Sequence, residues 1–431
     1  MMFNPELETL PRADLERLQL ERLRVTVQRL ADRVPFYREA FDQQGLQTSD
    51  IRSLDDLSHL PFTAKADLRA RWPFGMLAVP REDLVELHAS SGTTGPATLA
   101  AYNRADLETW GEVMARTLAL GGLRPGDLAH NAYGYGLFTG GLGFHYGALK
   151  LGVAVVPVSS GNTARQIKLL EEFGSSALFA TPSYALHLAE ALEEAGVGLD
   201  RLELRRGLFG AEPWSEAMRH EIERRLGIKA MDCYGLSEIV GPGVAAECQE
   251  AQDGLHLADD HFLVEVLDPA TCQQLGPGQP GELVVTTLTR EAVPVLRYRT
   301  GDISALKPGD CACGRTTRRI ARLSGRIDDM LIVRGVNLFP SEVEAVLLRL
   351  PELEPQYRLV VDRQRALDEL EVEVEPRQPL PDGPRRAAVA ERVARLLRDE
   401  MGISVIVRVL EPRTIPRSEG KALRVVDRRQ L

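Results

Sequence analysis

The segment from Ser90 to Gly95 combines residue types that could bind an anion. Its sequence, SSGTTG, places four hydroxyl groups and two glycines in six residues. Glycine lets backbone N–H groups converge on an anion without a Cβ in the way, and Ser and Thr hydroxyls add further donors. Neither the P-loop pattern of ordinary NTPases nor the dinucleotide-binding glycine pattern occurs in the chain. We interpret the segment as a phosphate-binding loop, with a polar turn as the alternative. The candidate residues are Ser90, Ser91, Gly92, Thr93, Thr94 and Gly95.

A second set of residues could hold a metal ion. Cys311 and Cys313 form a C-x-C pair between two glycines, a tight turn that can present two thiolates to one ion. Cys248 and His256 would complete a Cys₃His set, which zinc accepts in structural sites. The alternative is a group of reduced thiols and an ordinary buried histidine.

A third segment, residues 130–147, alternates glycines with aromatic residues. Aromatic side chains usually belong to the core, but glycines between them would leave concave space beside flat rings. We therefore predict a pocket for a planar apolar ligand. Its candidate lining residues are Tyr135, Phe138, Gly141 and Phe144.

The elements that must position these residues follow a β-α rhythm. Apolar runs at 153–158, 177–180 and 206–209 alternate with helical patterns at 164–173, 183–195 and 215–226. This order predicts a largely parallel sheet covered by helices, with ligands at the carboxyl ends of its strands. Two polar clusters follow predicted strands and are therefore site candidates. They are Gly210, Ala211, Glu212 and Pro213, and then Asp232, Tyr234, Gly235, Ser237 and Glu238.

The ends of the chain have different patterns. Residues 12–34 are spaced as an amphipathic helix, and Thr63 is a suitable N-cap for a short helix that begins near Lys65, itself interpreted as a solvated charge. Beyond residue 254 the sequence becomes rich in strands and turns, and a capping box at 341–344 begins a further α+β unit. We predict a large N-terminal α/β domain, residues 1–327, with parallel sheets and a β-rich subdomain, and a small mobile C-terminal α+β domain, residues 328–431.

Composition limits the classes of function. The 431 residues carry a formal net charge of −10, which argues against general nucleic-acid or membrane-surface binding. No apolar run approaches the roughly 20 residues of a membrane span, and the N-terminus lacks a signal-peptide pattern. Five cysteines in so long a chain do not form a disulfide framework. These observations predict a cytoplasmic protein, with a homodimer as an open alternative for its assembly.

Several longer strings now identify a family. The chain contains SSGTTG, AYGYGLFTGGLGFHYGA, FGAEPW, YGLSEIVGPGVAAEC, LRYRTGDI and GRIDDMLIVRGVNLFPSEVE, and SEGK at 418–421. Together they resemble the adenylate-forming superfamily of acyl-coenzyme A synthetases, peptide synthetase adenylation domains and luciferases. Within it, the phenylacetate–coenzyme A ligases are the closer match, and the resemblance covers nearly the whole chain.

The resemblance implies two half-reactions. A carboxylate attacks the α-phosphate of ATP to form an acyl-adenylate and pyrophosphate, and the coenzyme A thiol then displaces AMP. It implies that Ser90 to Gly95 hold the β- and γ-phosphates, that Ser237 contacts the α-phosphate and that Glu238 holds Mg²⁺. The remaining nucleotide-binding residues implied are Asp302 and Arg326 at the ribose, and Tyr234 and Gly210 to Pro213 beside the adenine, with Asp232 and Gly235 as further candidates for the nucleotide site.

The resemblance also implies a moving domain. Lys421 should bridge the carboxylate and α-phosphate, and Asp328 matches the hinge at which the small domain turns between the two half-reactions. Some similar aryl-coenzyme A ligases carry a structural zinc, which supports the Cys₃His set. One departure stands out: relatives have Lys-Pro after SSGTTG, whereas this chain has Pro96-Ala97, so a cation that faces the phosphates is missing.

We therefore expect an ATP-dependent ligase that joins phenylacetate, or a close relative such as hydroxyphenylacetate, indoleacetate or a benzoate, to coenzyme A. Transfer of the acyl group to an amine or a carrier-protein thiol is one alternative. A degenerate nucleotide-binding regulator is another, although Glu238, Asp302 and Lys421 are all present.

Overall fold

The structure is a computed structural model that describes residues 1–90, 97–333, 336–364, 367–380, 383–418 and 420–429. Its helices are α1 (Pro5–Glu8), α2 (Arg12–Arg33), α3 (Pro35–Gln44), α4 (Lys65–Ala70), α5 (Arg104–Leu120), α6 (Thr139–Leu151), α7 (Thr163–Phe173), α8 (Pro182–Glu194), α9 (Glu216–Leu226), α10 (Pro340–Leu347) and α11 (Gly383–Met401). Short 3-10 helices lie at Thr48–Asp50, Leu54–His59, Arg81–Asp83, Leu199–Arg201 and Ile327–Asp329.

The strands carry the site residues at or near their ends. They are β1 (Leu84–Ala89), β2 (Leu99–Asn103), β3 (Leu128–Asn131), β4 (Ala154–Val156), β5 (Ala177–Ala180), β6 (Arg206–Gly210), β7 (Lys229–Leu236), β8 (Gly241–Glu247), β9 (Leu255–Leu257), β10 (Phe262–Leu267), β11 (Gly281–Thr287), β12 (Tyr298–Ser304), β13 (Leu306–Lys307), β14 (Arg319–Ile320), β15 (Gly325–Arg326), β16 (Leu331–Val333), β17 (Val336–Leu338), β18 (Leu353–Gln364), β19 (Leu367–Pro376), β20 (Ile406–Val409) and β21 (Val425–Asp427).

The largest sheet has nine strands in the order β13-β14-β9-β8-β7-β6-β5-β3-β4. Strands β4, β3, β5, β6 and β7 are parallel, as the β-α rhythm predicts. Beyond β7 the pairs are antiparallel, so the sheet is mixed where the sequence predicted a largely parallel one. The reason is local: no helix separates β7, β8 and β9 along the chain, and a short connection can join only antiparallel neighbours.

Four smaller sheets accompany it among the described residues, and one of them is the β1-β2 hairpin. Strands β10, β11, β12 and β15 form an antiparallel sheet, which is the predicted β-rich region. After residue 331, the hairpin β16-β17 and the sheet β20-β19-β18-β21 pack with α10 and α11 around a core of their own, in which Val343, Leu359 and Val393 are buried. The predicted α/β class, with a large N-terminal part and a C-terminal part of sheet and helix, is confirmed.

Local predictions of helix boundaries were mostly accurate but two caps were wrong. The N-cap of α4 is Ala64, and Thr63 instead donates from Oγ1 to the Leu296 carbonyl (2.7 Å) inside the core. The N-cap of α10 is Phe339, whose N–H donates to Glu342 (2.9 Å), while Ser341 lies within the helix. Among the described residues, every helix is too short or too polar to cross a lipid bilayer.

Candidate active site

The β1-β2 hairpin supports the predicted phosphate-binding loop. Ser90 N–H donates to the Thr98 carbonyl (3.0 Å), and Thr98 N–H donates to Ser90 Oγ (2.9 Å), so the two ends of the loop are held together. Ser91, Gly92, Thr93, Thr94 and Gly95 lie outside the described residues. Their assignment to the phosphates stays a prediction from the sequence.

His88 fixes this hairpin to the aromatic segment, a contact that the sequence did not reveal. The His88 ring is buried. Its Nδ1 is 3.1 Å from the Leu137 carbonyl oxygen, and its Nε2 is 2.6 Å from Glu86 Oε1. Tyr146 in α6 donates its hydroxyl to the same Glu86 carboxylate. The β1-β2 hairpin and the aromatic segment are therefore joined by hydrogen bonds through Glu86 and His88.

Glu238 lies beside the neck of the loop. Its carboxylate is buried and accepts a hydrogen bond from Thr98 Oγ1 (2.8 Å). Lys65 Nζ is 3.8 Å from the same oxygen, so this lysine is not the free solvated charge that its sequence context suggested. Ser237, the neighbour of Glu238, has its Oγ 3.1 Å from Thr139 Oγ1 at the start of α6.

The candidate ribose site is built by three strands. Asp302 in β12 lies opposite Arg326 in β15, with 3.1 Å between Oδ1 and Nη1. The buried Tyr234 at the end of β7 donates its hydroxyl to the other Asp302 oxygen (2.7 Å). Burial raises the pKa of Asp302, and the charge of Arg326 works against that rise. These contacts fix the orientation of the Asp302 carboxylate, and its predicted role at the ribose stays a prediction.

Strands β6 and β7 position the candidate adenine segment. Gly210 pairs with Cys233, and a Cβ at Gly210 would lie 2.2 Å from the Cys233 carbonyl oxygen, so only glycine permits this approach. Ala211 follows in the left-handed region (φ 72°), Pro213 is partly buried, and Gly235 pairs with Pro242 on β8.

Asp232 lies behind this surface in a buried charge network. Its N–H donates to Glu247 (2.8 Å), and its carboxylate is 3.6 Å from Arg322. Glu247 in turn pairs with Arg219 at 2.7 Å. Burial, and then the charge of Glu247, raise the pKa of Asp232 well above its ordinary value. Asp232 therefore supports strand β7 from the core, and its predicted contact with nucleotide stays a prediction.

The aromatic segment forms the end of β3, the following loop and α6. Tyr135 accepts a hydrogen bond from Asn131 (2.8 Å) and is half-buried, and Phe138 is likewise partly exposed. Phe144 is buried in a stack between Tyr133, with ring centroids 4.9 Å apart, and Phe179, 4.7 Å away. A Cβ on Gly141 would lie 2.5 Å from the Gly134 carbonyl oxygen. Tyr135 and Phe138 thus keep some exposed surface, whereas Phe144 and Gly141 are buried. That the four residues line an acid pocket stays a prediction.

The C-terminal segment brings Lys421 to this same place. Lys421 Nζ lies 5.9 Å from the centre of the Phe138 ring. Desolvation, and then the charge of Arg326, lower the pKa of Lys421, while Glu212, Glu238 and Asp302 oppose the shift. Lys421 is therefore within electrostatic reach of both the candidate acid pocket and the candidate nucleotide site.

Glu212 and its neighbours hold the Lys421 segment in position. Glu212 accepts hydrogen bonds from Ser183 N–H and Ala422 N–H, each at 2.8 Å, and Thr181 Oγ1 donates to the Gly420 carbonyl (2.9 Å). Arg417 pairs with Glu190 at 2.8 Å and with Glu375 at 2.7 Å. Sequence reasoning missed this role for Glu212, because its partners are distant in the chain.

Asp328 occupies the 3-10 helix Ile327–Asp329, directly after β15 and before β16. Its side chain lies outside the described residues. Its backbone stands where the chain leaves Arg326 and enters the C-terminal sheet and helix unit, a position suited to the predicted hinge.

The four candidate metal ligands converge as predicted. One ligand atom each from Cys248, His256, Cys311 and Cys313 lies within 4.8 Å of all the others. Thr317 Oγ1 is 3.0 Å from His256 Nδ1, which leaves Nε2 facing the thiols, 3.4 Å from Cys313 Sγ. Cys233 and Cys272 are not part of the cluster.

Comparison with known proteins places the chain in a family. The family model described as AMP-binding enzyme matches residues 16–289, and the model described as AMP-binding enzyme C-terminal domain matches residues 335–429. A phenylacetate-coenzyme A ligase of Thermus thermophilus is 50% identical over an alignment of 445 positions, which covers 100% of this chain and 100% of that protein.

Two crystal structures of 2-hydroxyisobutyryl-CoA ligase are also similar. The one in the postadenylation state superposes with a TM-score of 0.92 at 31% identity, covering 98% of this chain and 91% of that one. The one in the thioesterification state, with coenzyme A, gives a TM-score of 0.73 at 32% identity, covering 99% and 92%. The chain therefore belongs to the AMP-binding enzyme family and, within that family, to the phenylacetate–coenzyme A ligases.

Proposed function

We propose that this chain is an ATP-dependent ligase that joins phenylacetate, or a closely related aryl acid, to coenzyme A. The observation that carries the proposal is the position of Lys421, which lies 5.9 Å from the Phe138 ring of the acid pocket and within electrostatic reach of Asp302 and Glu238. A single cation near both sites could stabilise the negative charge that develops when an acid attacks a nucleotide.

The first half-reaction uses this arrangement. A carboxylate oxygen of the acid attacks the α-phosphorus of ATP, the bond to the bridging β-phosphate oxygen breaks, and pyrophosphate leaves. Asp302 accepts the ribose hydroxyls, Ser237 contacts the α-phosphate, and Lys421 stabilises the negative charge that accumulates in the transition state. The segment that carries Lys421 is held in place for this step by hydrogen bonds to Glu212 and Thr181.

Glu238 would hold Mg²⁺, whose charge offsets that of the leaving pyrophosphate. Its fit to a hard cation rests on the donor type, a buried carboxylate beside a threonine hydroxyl at the neck of the phosphate loop.

In the second half-reaction the thiol sulfur of coenzyme A attacks the acyl carbon. The bond from that carbon to the phosphate oxygen breaks, AMP leaves, and the thiol proton is lost to solvent. We infer that Lys421 has withdrawn by then, with the C-terminal unit turned about Asp328. The present pose corresponds to the adenylation side of this cycle, an inference supported by the TM-scores of 0.92 and 0.73 against relatives in the two states.

A pyrophosphate-release screen over aryl and alkyl acids, with and without coenzyme A, tests the function. We expect phenylacetate or a close aryl relative to give the highest kcat/KM, and coenzyme A to convert each adenylate into a thioester with release of AMP. Release of pyrophosphate with an amine or a carrier protein as the productive acceptor, and no turnover of coenzyme A, would replace this function with acyl transfer elsewhere. No pyrophosphate release with every acid offered would contradict catalysis altogether.

We also propose that Cys248, His256, Cys311 and Cys313 bind a structural zinc ion. The donor set fits, because three thiols and an imidazole oriented by Thr317 form a closed tetrahedral set without an open position for chemistry. The ion would join β8 and β9 to the turn before β14.

Purified protein is accordingly expected to contain about one equivalent of zinc, and Cys311→Ser is expected to lower the apparent Tm by about 5 °C or more. The kcat/KM of the folded variant should stay within about threefold of the wild-type value, because the cluster supports the fold and not the reaction. Cys272→Ser, a cysteine outside the cluster, is the matched control. Metal analysis of untreated protein with far less than one equivalent would count against the site.

A further inference from the structure

Lys65 lies near the neck of the predicted phosphate-binding loop, where Glu238 contacts Thr98, although it is distant from that loop in sequence. It is the first residue of α4, and its Nζ lies 3.8 Å from Glu238 Oε1. The same oxygen accepts the Thr98 hydroxyl hydrogen bond at 2.8 Å. Glu238 is buried, whereas the Lys65 side chain is 34% exposed, so the ammonium group reaches inward from an open edge.

The segment before Lys65 is anchored firmly. Thr63 N–H donates to the Arg297 carbonyl (3.3 Å), and Arg299 N–H donates to the Thr63 carbonyl (2.9 Å), so Thr63 pairs with β12 as an isolated bridge. Thr63 Oγ1 bonds to the Tyr37 hydroxyl at 2.7 Å, and Ala64 N–H donates to Asp67 at 2.8 Å. The start of α4 is thus fixed against the strand that carries Asp302. A preorganised position of this kind favours binding of a charged ligand.

The predicted phosphate loop contains no positively charged side chain, so a cation from elsewhere in the chain is needed beside it. The chain has no lysine or arginine from Ala89 to Asn103, and Pro96-Ala97 stands where the family resemblance implies Lys-Pro. Several negative charges must nevertheless be balanced where the β- and γ-phosphates bind. Lys421 and Arg326 lie toward the acid pocket and the ribose site. Lys65 faces the carboxylate beside the loop neck, and its flexible stem allows the ammonium to move between Glu238 and a phosphate oxygen.

We propose that Lys65 is the cation that binds the β- and γ-phosphates in this chain, in place of the lysine that relatives carry after the glycine loop. This inference rests on the proposed function for the existence of an ATP site. In this proposal, a residue of α4 provides the positive charge that the loop itself does not carry.

The test compares ligands that have or lack those phosphates. Lys65→Ala and Lys65→Gln are expected to weaken the Kd of ATP and of pyrophosphate by about tenfold or more, the effect of losing one charge-assisted contact. The Kd of AMP and the rate of thioester formation from preformed acyl-adenylate should remain within about twofold. Lys150→Ala removes a lysine of similar exposure, 36%, that pairs with Glu108 on the surface, and should change none of these values.

A rescue experiment tests the substitution directly. Adding Pro96→Lys and Ala97→Pro to Lys65→Ala should restore the Kd of ATP to within about threefold of the wild-type value. Unchanged ATP and pyrophosphate affinity in Lys65→Ala, an equal loss for AMP, or a triple variant as weak as the single one would each overturn the proposal. Because direct binding needs no acid substrate, failure here is distinguishable from failure of the ligase function, which the pyrophosphate-release screen measures.

Discussion

Lys421→Ala is expected to slow the adenylation half-reaction by about 10²-fold or more, which is typical of removing one electrostatic donor aimed at the transition state. Its ammonium lies 5.9 Å from the centre of the Phe138 ring, and Glu212, Glu238 and Asp302 act on its charge. In the proposed reaction, negative charge builds up there as the acid attacks ATP. Acid-dependent ATP–pyrophosphate exchange measures this step.

The same variant should form thioester from preformed acyl-adenylate at nearly the wild-type rate, because the proposed mechanism has Lys421 withdrawn in the second half-reaction. Leu423→Ala, which truncates a neighbour that is 81% exposed, is the matched control and should leave both steps unchanged. Equal impairment of both steps in Lys421→Ala would show that the active site works in a single fixed pose.

The pH dependence of adenylation provides a second measurement on Lys421. The protonated amine is the active form, and desolvation lowers its pKa from the ordinary lysine value. As pH rises, kcat/KM for ATP should therefore fall at a lower pH than an ordinary lysine would cause, since this ratio reports on groups of the free enzyme. In Lys421→Arg this alkaline fall should move to higher pH or vanish, because arginine stays protonated.

Asp328→Pro is expected to slow thioester formation by about 10²-fold while adenylation continues. Proline fixes φ near −65°, the value that a 3-10 helix such as Ile327–Asp329 already uses, so the described pose should tolerate it. A pose that needs another φ at this residue would be disfavoured by about 3 kcal/mol, the size of a proline conflict. Stopped-flow measurement of each half-reaction separates the two effects.

Asp328→Ala leaves the backbone free to rotate and is the control for this prediction. It should retain thioester formation to within about threefold, whereas the proline variant should not. The pose that proline preserves is held by Arg417 with Glu190 and by Glu212 with Ala422. If Asp328→Pro lost adenylation and kept thioester formation, the assignment of the present pose to the first step would be reversed.

The α/β class and most element positions could be predicted, because each depends on spacing within one short segment. The helical stripe at 12–34 became α2, with Leu23, Val27 and Leu30 buried, and the apolar run at 177–180 became β5. Helix caps were less predictable. Thr63 has a side chain that can cap a helix, but its hydroxyl donates a hydrogen bond to the Leu296 carbonyl instead.

The candidate groups for phosphate, ribose, an aryl acid and zinc could be recognised from the residue types alone, since motif chemistry depends on short stretches of sequence. Which of these groups lie together depends on how the strands and helices pack. Register between β12 and β15 set Asp302 against Arg326, and pairing of β9 with β14 helped to bring His256 to the thiols of Cys311 and Cys313.

Two contacts could not be predicted from the sequence: Lys65 with Glu238, and Glu212 with Ala422. Long stretches of chain separate the partners, and in the second pair the separation is 210 positions. Such contacts depend on how sheets and helices pack, and packing is a collective property of many side chains that no single motif specifies. The sequence supplied the chemical groups, and the fold selected their partners.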